Sequence, residues 1–141
     1  VADSLKFLTQ RYEEIRLLLA QDQLKKSTQA ALKLSQNIKT QFSILLNSSS
    51  KAKAQLTLMR TAADSMYQSK TAHAQRKAFG EMSKAMISLL HTQKELQKGW
   101  YVFRCPMAQG YPQWIQATEK MANPYMGKKM LECGSKGKWI P

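Results

Sequence analysis

Two short segments concentrate soft-donor chemistry. In "FRCPMAQGYP" (103–112), Cys105 stands two residues before Met107. In "KKMLECGSKG" (128–137), Met130 stands three residues before Cys133. A thiolate is soft and charged, and a thioether is soft and neutral. Two of each suit a monovalent soft cation, Cu(I), better than Mg, Ca or Mn. A spacing of two puts Cys105 and Met107 on one side of an extended segment. A spacing of three puts Met130 and Cys133 on one side of a helical turn. If the two segments are extended and pair, the four sulfurs converge. The same residues permit another chemistry. In an oxidising compartment Cys105 and Cys133 form a disulfide. It would contribute about 3–4 kcal/mol on the loop-entropy account, with Met107 and Met130 left as packing residues. Spacing alone leaves both open.

Other donors are sparse. His73 and His91 are five helical turns apart and cannot share one mononuclear site. His73 reads as a surface or boundary residue. His91 is nearer in sequence to the cysteine segments and is an accessory-ligand candidate, as is Met126 in "NPYMG". The pairs Met59/Met66 and Met82/Met86 fall at core spacing and read as filler. No nucleophile is combined with a His and a carboxylate, and there is no Gly-rich phosphate loop, so the chain is not expected to be an enzyme. Glu13 and Glu14 are adjacent, hence diverge on a helix. No Glu-x-x-His pattern completes a di-metal site.

The elements that must position these residues are mostly helical. Leu5, Leu8, Tyr12, Ile15 and Leu19 recur at spacings of 3, 4, 3, 4, an amphipathic stripe. Asp22 is placed to cap a second helix carrying Leu24, Ala31, Leu34, Ile38, Phe42 and Leu45. "NSSS" (47–50) reads as a turn, with Ser50 an N-cap. A third stripe runs through Ala52, Leu56, Met59, Ala63 and Met66. The fourth runs through Ala72, Phe79, Met82, Met86, Leu89 and Leu96 and ends at Gly99, suited to a left-handed terminus. Short connections make neighbours antiparallel, so the expectation for 1–98 is an up-down-up-down four-helix bundle.

Composition changes at Gly99. All four prolines and all three tryptophans lie beyond it. "WYVFRC" reads as a strand, "PQWIQATEKMA" as one or two helical turns starting at Pro112, "NPYMG" as a turn, and "KKMLEC" as a second extended segment. Residues 99–141 are too few to hold a core alone. They are expected to pack on the bundle, capping one end, within a single domain of mainly α class with a small irregular or β C-terminal module.

Charge bounds the partners. There are 22 Lys+Arg against 9 Asp+Glu, net +13, which favours anionic partners without choosing among them. The lysines are dispersed, so they read as a solvated face. Nucleic-acid binding is disfavoured, because Trp100, Tyr101, Phe103 and Tyr111 read as the core of the small module rather than a stacking platform. No apolar run approaches the length needed to span a bilayer. The opening "VADSLKF" carries no signal peptide and reads as a mature terminus or a boundary.

The segments "YVFRCPMAQGYPQWIQ" and "NPYMGKKMLECG" resemble a bacterial envelope family, domain of unknown function 3347. Its members carry a CPMA element, a Trp, and an NPY-x-G-x-x-M-L-x-C-G element. The matching residues are Cys105 to Ala108, Trp114, Asn123 to Tyr125, Gly127, Met130, Leu131, Cys133 and Gly134. They span the last third of the chain. The strong basicity and Met126, where an aromatic is usual, depart from the pattern. The family occurs alone or C-terminal to CusB-like adaptors of copper and silver efflux. The resemblance implies an exported, periplasmic protein of copper resistance, with copper as Cu(I), or silver, as cargo and an efflux adaptor as partner. The alternative is a disulfide-stapled interaction module that binds an envelope protein or an anionic surface without metal. In the copper reading Pro124 and Gly127 shape the turn presenting Met130, and Trp114 and Trp139 shield the sulfurs.

Overall fold

A computed structural model of the protein describes residues 2–43 and 51–141. Four long helices come first: α1 (Ala2–Ala20), α2 (Leu24–Gln41), α3 (Lys51–Gln68) and α4 (Ala72–Leu90). A short α5 (Lys94–Gln97) follows, then β1 (Tyr101–Arg104), β2 (Gln113–Gln116), a 3-10 turn (Gly127–Met130) and β3 (Ser135–Lys136). The helical bundle with a small C-terminal module is therefore the observed fold. The expected turn at 47–50, its Ser50 cap and Leu45 lie outside the described residues.

The stripes become the core as periodicity requires. Leu5, Leu8, Tyr12, Ile15 and Leu19 are buried on α1. Ala31, Leu34 and Ile38 are buried on α2, and Leu56, Met59, Ala63 and Met66 on α3. Met82 and Met86 are fully buried on α4, so they are the packing residues their spacing indicates. Successive helices pack against each other, most extensively α3 on α4.

Three local expectations are corrected. Asp22 does not cap α2: it adopts a left-handed φ of 59°, Gln23 occupies the cap position without a side-chain bond, and the Asp22 carboxylate serves the C-terminal module instead. The fourth stripe does not run unbroken to Leu96. Helix α4 stops at Leu90, and the side-chain amide of Gln97 donates to the carbonyls of Leu90 (2.7 Å) and His91 (3.1 Å). That satisfies chain-end acceptors otherwise left open. Gly99 is left-handed (φ 84°) as expected. Finally, "PQWIQ" is a strand rather than a helical turn. All four residues of β2 are buried, and pairing with β1 overrides their local preference.

The sheet is antiparallel in the order β2-β1-β3. Phe103 pairs with Trp114, and Arg104 with both Gln113 and Ser135. The sheet does not cap an end of the bundle: β2 packs on α4 and α1, at mid-helix, where Tyr12 meets Ser83 and the Ile115 amide. A chain of rings joins bundle to module. Tyr12 stacks on Phe79 (5.1 Å), Phe79 meets Tyr125 edge-on (5.9 Å), Tyr125 meets Trp114 (5.9 Å), and Trp114 meets Phe103 (5.5 Å). Residues of both parts share one hydrophobic cluster.

Tyr12 ties the three elements at this junction. Its hydroxyl pairs with Ser83 Oγ at 2.6 Å and accepts from the Ile115 amide at 3.3 Å. Burial pushes its pKa far above the usual phenol value, so it remains a neutral donor. Tyr12→Phe leaves Ser83 and the Ile115 N–H short of a partner in a dry site. A loss of about 2 kcal/mol is expected by urea denaturation, with little change in far-UV circular dichroism.

Candidate metal centre

Cys105 follows β1 directly and is fully buried. Its amide donates to Pro112 O at 2.9 Å, and its carbonyl accepts from the Ala108 amide at 3.3 Å. The segment Cys105–Ala108 is thus a β-turn. Pro106 stands at the second position, where its fixed φ is suited. This corrects the expectation that Cys105 and Met107 share one side of an extended segment. The turn sends Cys105 into the core and leaves Met107 58% exposed.

Cys133 arrives by a different route. Residues 127–130 form a 3-10 turn, and the Cys133 amide donates to Met130 O at 3.1 Å. "KKMLEC" is therefore coiled rather than extended, and strand pairing is delayed to Ser135. The spacing of three still puts Met130 and Cys133 on one shallow depression, with Leu131 and Glu132 between them. Met130 is 40% exposed.

The register sets the two thiols side by side. Arg104 pairs with Ser135, so Cys105 and Cys133 lie just beyond that pair at the sheet's end. Both cysteines are unlinked. The Cys133 thiol is pushed up from its ordinary pKa, first by burial and then by neighbouring Cys105. The thiols are close enough to act on each other.

A network of polar contacts holds this corner. Asn123 is fully buried. Its Oδ1 accepts from the amides of Tyr125 (2.7 Å) and Met126 (3.2 Å), and its Nδ2 donates to Cys133 O at 2.5 Å. The Tyr125 hydroxyl donates to Gln113 O at 2.6 Å. Gly134 (φ 153°) lies where any Cβ would press on Arg104 O (2.7 Å) and, less closely, on the Trp114 ring (3.4 Å). Trp114 therefore backs the cysteine segment. The Trp139 carbonyl pairs with His91 Nδ1 at 2.6 Å.

Two arginine–carboxylate clamps fasten the module, and sequence reasoning missed both. Buried Arg16 grips Glu13 through two bonds (2.7 and 2.8 Å) and donates to Ala122 O. Glu13 in turn accepts from the Ala117 amide at 2.7 Å. Arg76 donates to Pro124 O (3.0 Å), Leu19 O (2.9 Å) and Asp22 (2.8 Å), while Asp22 accepts from the Lys128 amide at 3.2 Å. The Arg16–Glu13 pair is bidentate and gives geometry as well as energy; Arg76 meets Asp22 through one bond. Arg16 and Glu13 are only three residues apart, but the backbone groups the clamps hold in the module are distant in sequence, so no local pattern marks them. The only available signal was apolar spacing on α1, which leaves Glu13 and Arg16 at the stripe's border.

The remaining sequence candidates separate. Met107 and Met126 line one cleft, together with His73 from the first turn of α4. His91 follows the last residue of α4, the opposite end of that helix, and is held by Trp139. Nearness in sequence therefore pointed to His91, whereas folding brings His73 to the methionines. Among the described residues no three of His, Cys, Asp and Glu gather as a metal group. A metal at this corner would be held by the two thiols and a thioether, a soft set.

Comparison with protein-family models, curated proteins and solved structures finds no match. The chemistry of this corner therefore rests on its own geometry. No described helix is long and apolar enough to cross a membrane.

Proposed function

We propose that the protein is an exported copper-handling protein that binds one Cu(I) through Cys105 and Cys133 and sequesters it or passes it to an efflux adaptor. Silver, softer still, is the second cargo. The observation that carries this reading is the pair of unlinked thiols acting on each other at the sheet's end, with Met130 beside Cys133. Two thiolates neutralise a monovalent cation, and a thioether adds a soft, uncharged bond. Met107 leans into the neighbouring cleft; it can close the ligand set only by rotating its exposed side chain. The resemblance to the envelope family supports export and copper.

The same adjacency supports a second reading, a Cys105–Cys133 disulfide in an interaction module that meets an acidic envelope protein or anionic surface. Thiol counting on freshly purified protein separates the two. The copper reading expects two reactive thiols after reduction, both protected by one equivalent of Cu(I). Thiols that stay reactive with Cu(I) present would leave the disulfide reading.

The pH dependence has a fixed sign. Cys133 is held in its protonated form by a raised pKa, and a ligand must shed its proton to bind. Apparent Cu(I) affinity is therefore expected to rise with pH, by up to about tenfold per unit for each thiol still protonated. Competition titrations at pH 6, 7 and 8 with a pH-corrected chelator measure it; a flat profile counts against thiolate ligation.

A further inference from the structure

Against the turn that follows Cys105 lies a half-enclosed cleft of about 370 Å³. Its walls come from three segments that the sequence does not link: the start of α4, the turn after Cys105, and the Asn123–Met130 stretch. Arg76, Lys77 and Lys129 line it, and no Asp or Glu does. Arg76 is held in place by two carbonyls and Asp22, while its Nη1 makes no hydrogen bond to the described residues. Lys77 and Lys129 are exposed and form no ion pair among the described residues. The cleft also borders the N-terminal turn of α4, the positive end of a 19-residue helix. Thr71 already satisfies one amide there, at 3.0 Å to Ala74 N, so the side-chain cations supply most of the attraction.

The lining also has apolar residues among the cations: Met107, Met126 and Tyr111. The Lys77 stem runs along Gly110, whose open side keeps the cleft from filling. A lining that combines cations with apolar side chains describes an amphiphilic anion. The volume decides its size. At about 370 Å³ the cleft is near the lower bound for small-molecule sites, too short for a docked peptide strand.

The geometry points to a binding site for a small organic polyanion, with at least two carboxylate or phosphoryl charges on a compact carbon body. The charges meet Lys77, Lys129 and the open edge of Arg76; the body rests on Tyr111, Met107 and Met126. This site stands whether or not the thiols bind copper.

Calorimetric titration of the full-length, metal-free protein at low salt tests it. The probes are benzene-1,3-dicarboxylate as organic dianion, pyrophosphate as a carbon-free polyanion, and benzamide as a neutral ring. The dicarboxylate is expected to bind, pyrophosphate more weakly, and benzamide not at all. Lys77→Gln with Lys129→Gln removes two exposed charges without touching the core. It is expected to weaken dicarboxylate binding about tenfold or more at unchanged circular dichroism. No binding at millimolar dicarboxylate, or binding indifferent to the double substitution, overturns the site. Equal binding of pyrophosphate and dicarboxylate overturns the assignment of an organic ligand.

Discussion

Gly127→Ala is expected to destabilise the protein by about 3 kcal/mol or more, whereas Gly99→Ala should cost only about 1 kcal/mol. Both glycines have positive φ, 70° and 84°, so both substitutions incur backbone strain. They differ in what surrounds them. Around Gly99 no atom lies within 4 Å of a added Cβ. A Cβ at Gly127 would overlap the Asp22 carboxylate and come within 2.7 Å of Arg76 Nη2. Those two groups are the clamp that joins α1, α4 and the 3-10 turn. To admit a methyl group, either the turn shifts or the ion pair opens, and a partly buried pair that loses its partner is costly. Urea denaturation of the two variants side by side reads the difference. Equal losses would show that strain alone matters and that the clamp yields freely. The Asp22–Arg76 contact also gives the Gly of "NPYMG" a physical reason: the bundle's carboxylate occupies the space a side chain would need.

Cys133→Ser is expected to lower Cu(I) affinity by about a hundredfold or more, close to 3 kcal/mol. Cys105→Ser should do the same, because each removes one of the two charges that neutralise the cation. Met130→Leu preserves apolar volume and should cost about tenfold. Met107→Leu should cost less, since its side chain lies in the neighbouring cleft. Competition against a chelator of known Cu(I) affinity ranks the four. A Met130→Leu variant with unchanged affinity would remove the thioether from the site and leave a two-coordinate thiolate pair. Serine variants that bind as well as the parent would sink the copper reading altogether. Serine matches cysteine in size, but a hydroxyl at the fully buried Cys105 position costs stability; near-UV circular dichroism of the Trp114 environment establishes that each variant is folded before the ranking is read.

The helical body was legible because its signal is local. An a/d stripe repeats every turn, and each of Leu8, Tyr12, Ile15 and Leu19 goes to the side its spacing dictates. The methionines of α3 and α4 followed the same rule. Past Gly99 the local signal weakens. "PQWIQ" contains residues that serve either a helical turn or a strand, and β1 beside it made the choice. "KKMLEC" carries apolar residues at both helical and extended spacings. Asn123 resolved it, by drawing the Leu131 carbonyl to its own amide at 2.8 Å and the Cys133 carbonyl to its side chain.

By itself the sequence determined the class of the fold, the identity of the core faces, the left-handed terminus at Gly99, and the soft character of the only two cysteines with their nearby methionines. These depend on residue type and on spacing within a few turns, which act before the chain is compact. Tertiary structure alone decided which sulfurs meet. The turn at Pro106 separated Met107 from Cys105, the Arg104–Ser135 pairing brought Cys105 to Cys133, and helix α4 carried His73 to the methionines while taking His91 away. It also decided the roles of Glu13, Arg16, Asp22 and Arg76. The module backbone groups they hold lie 48 to 106 residues away along the chain, so no local spacing encodes those contacts; only packing the strand β2 between α1 and α4 brings the charges to them.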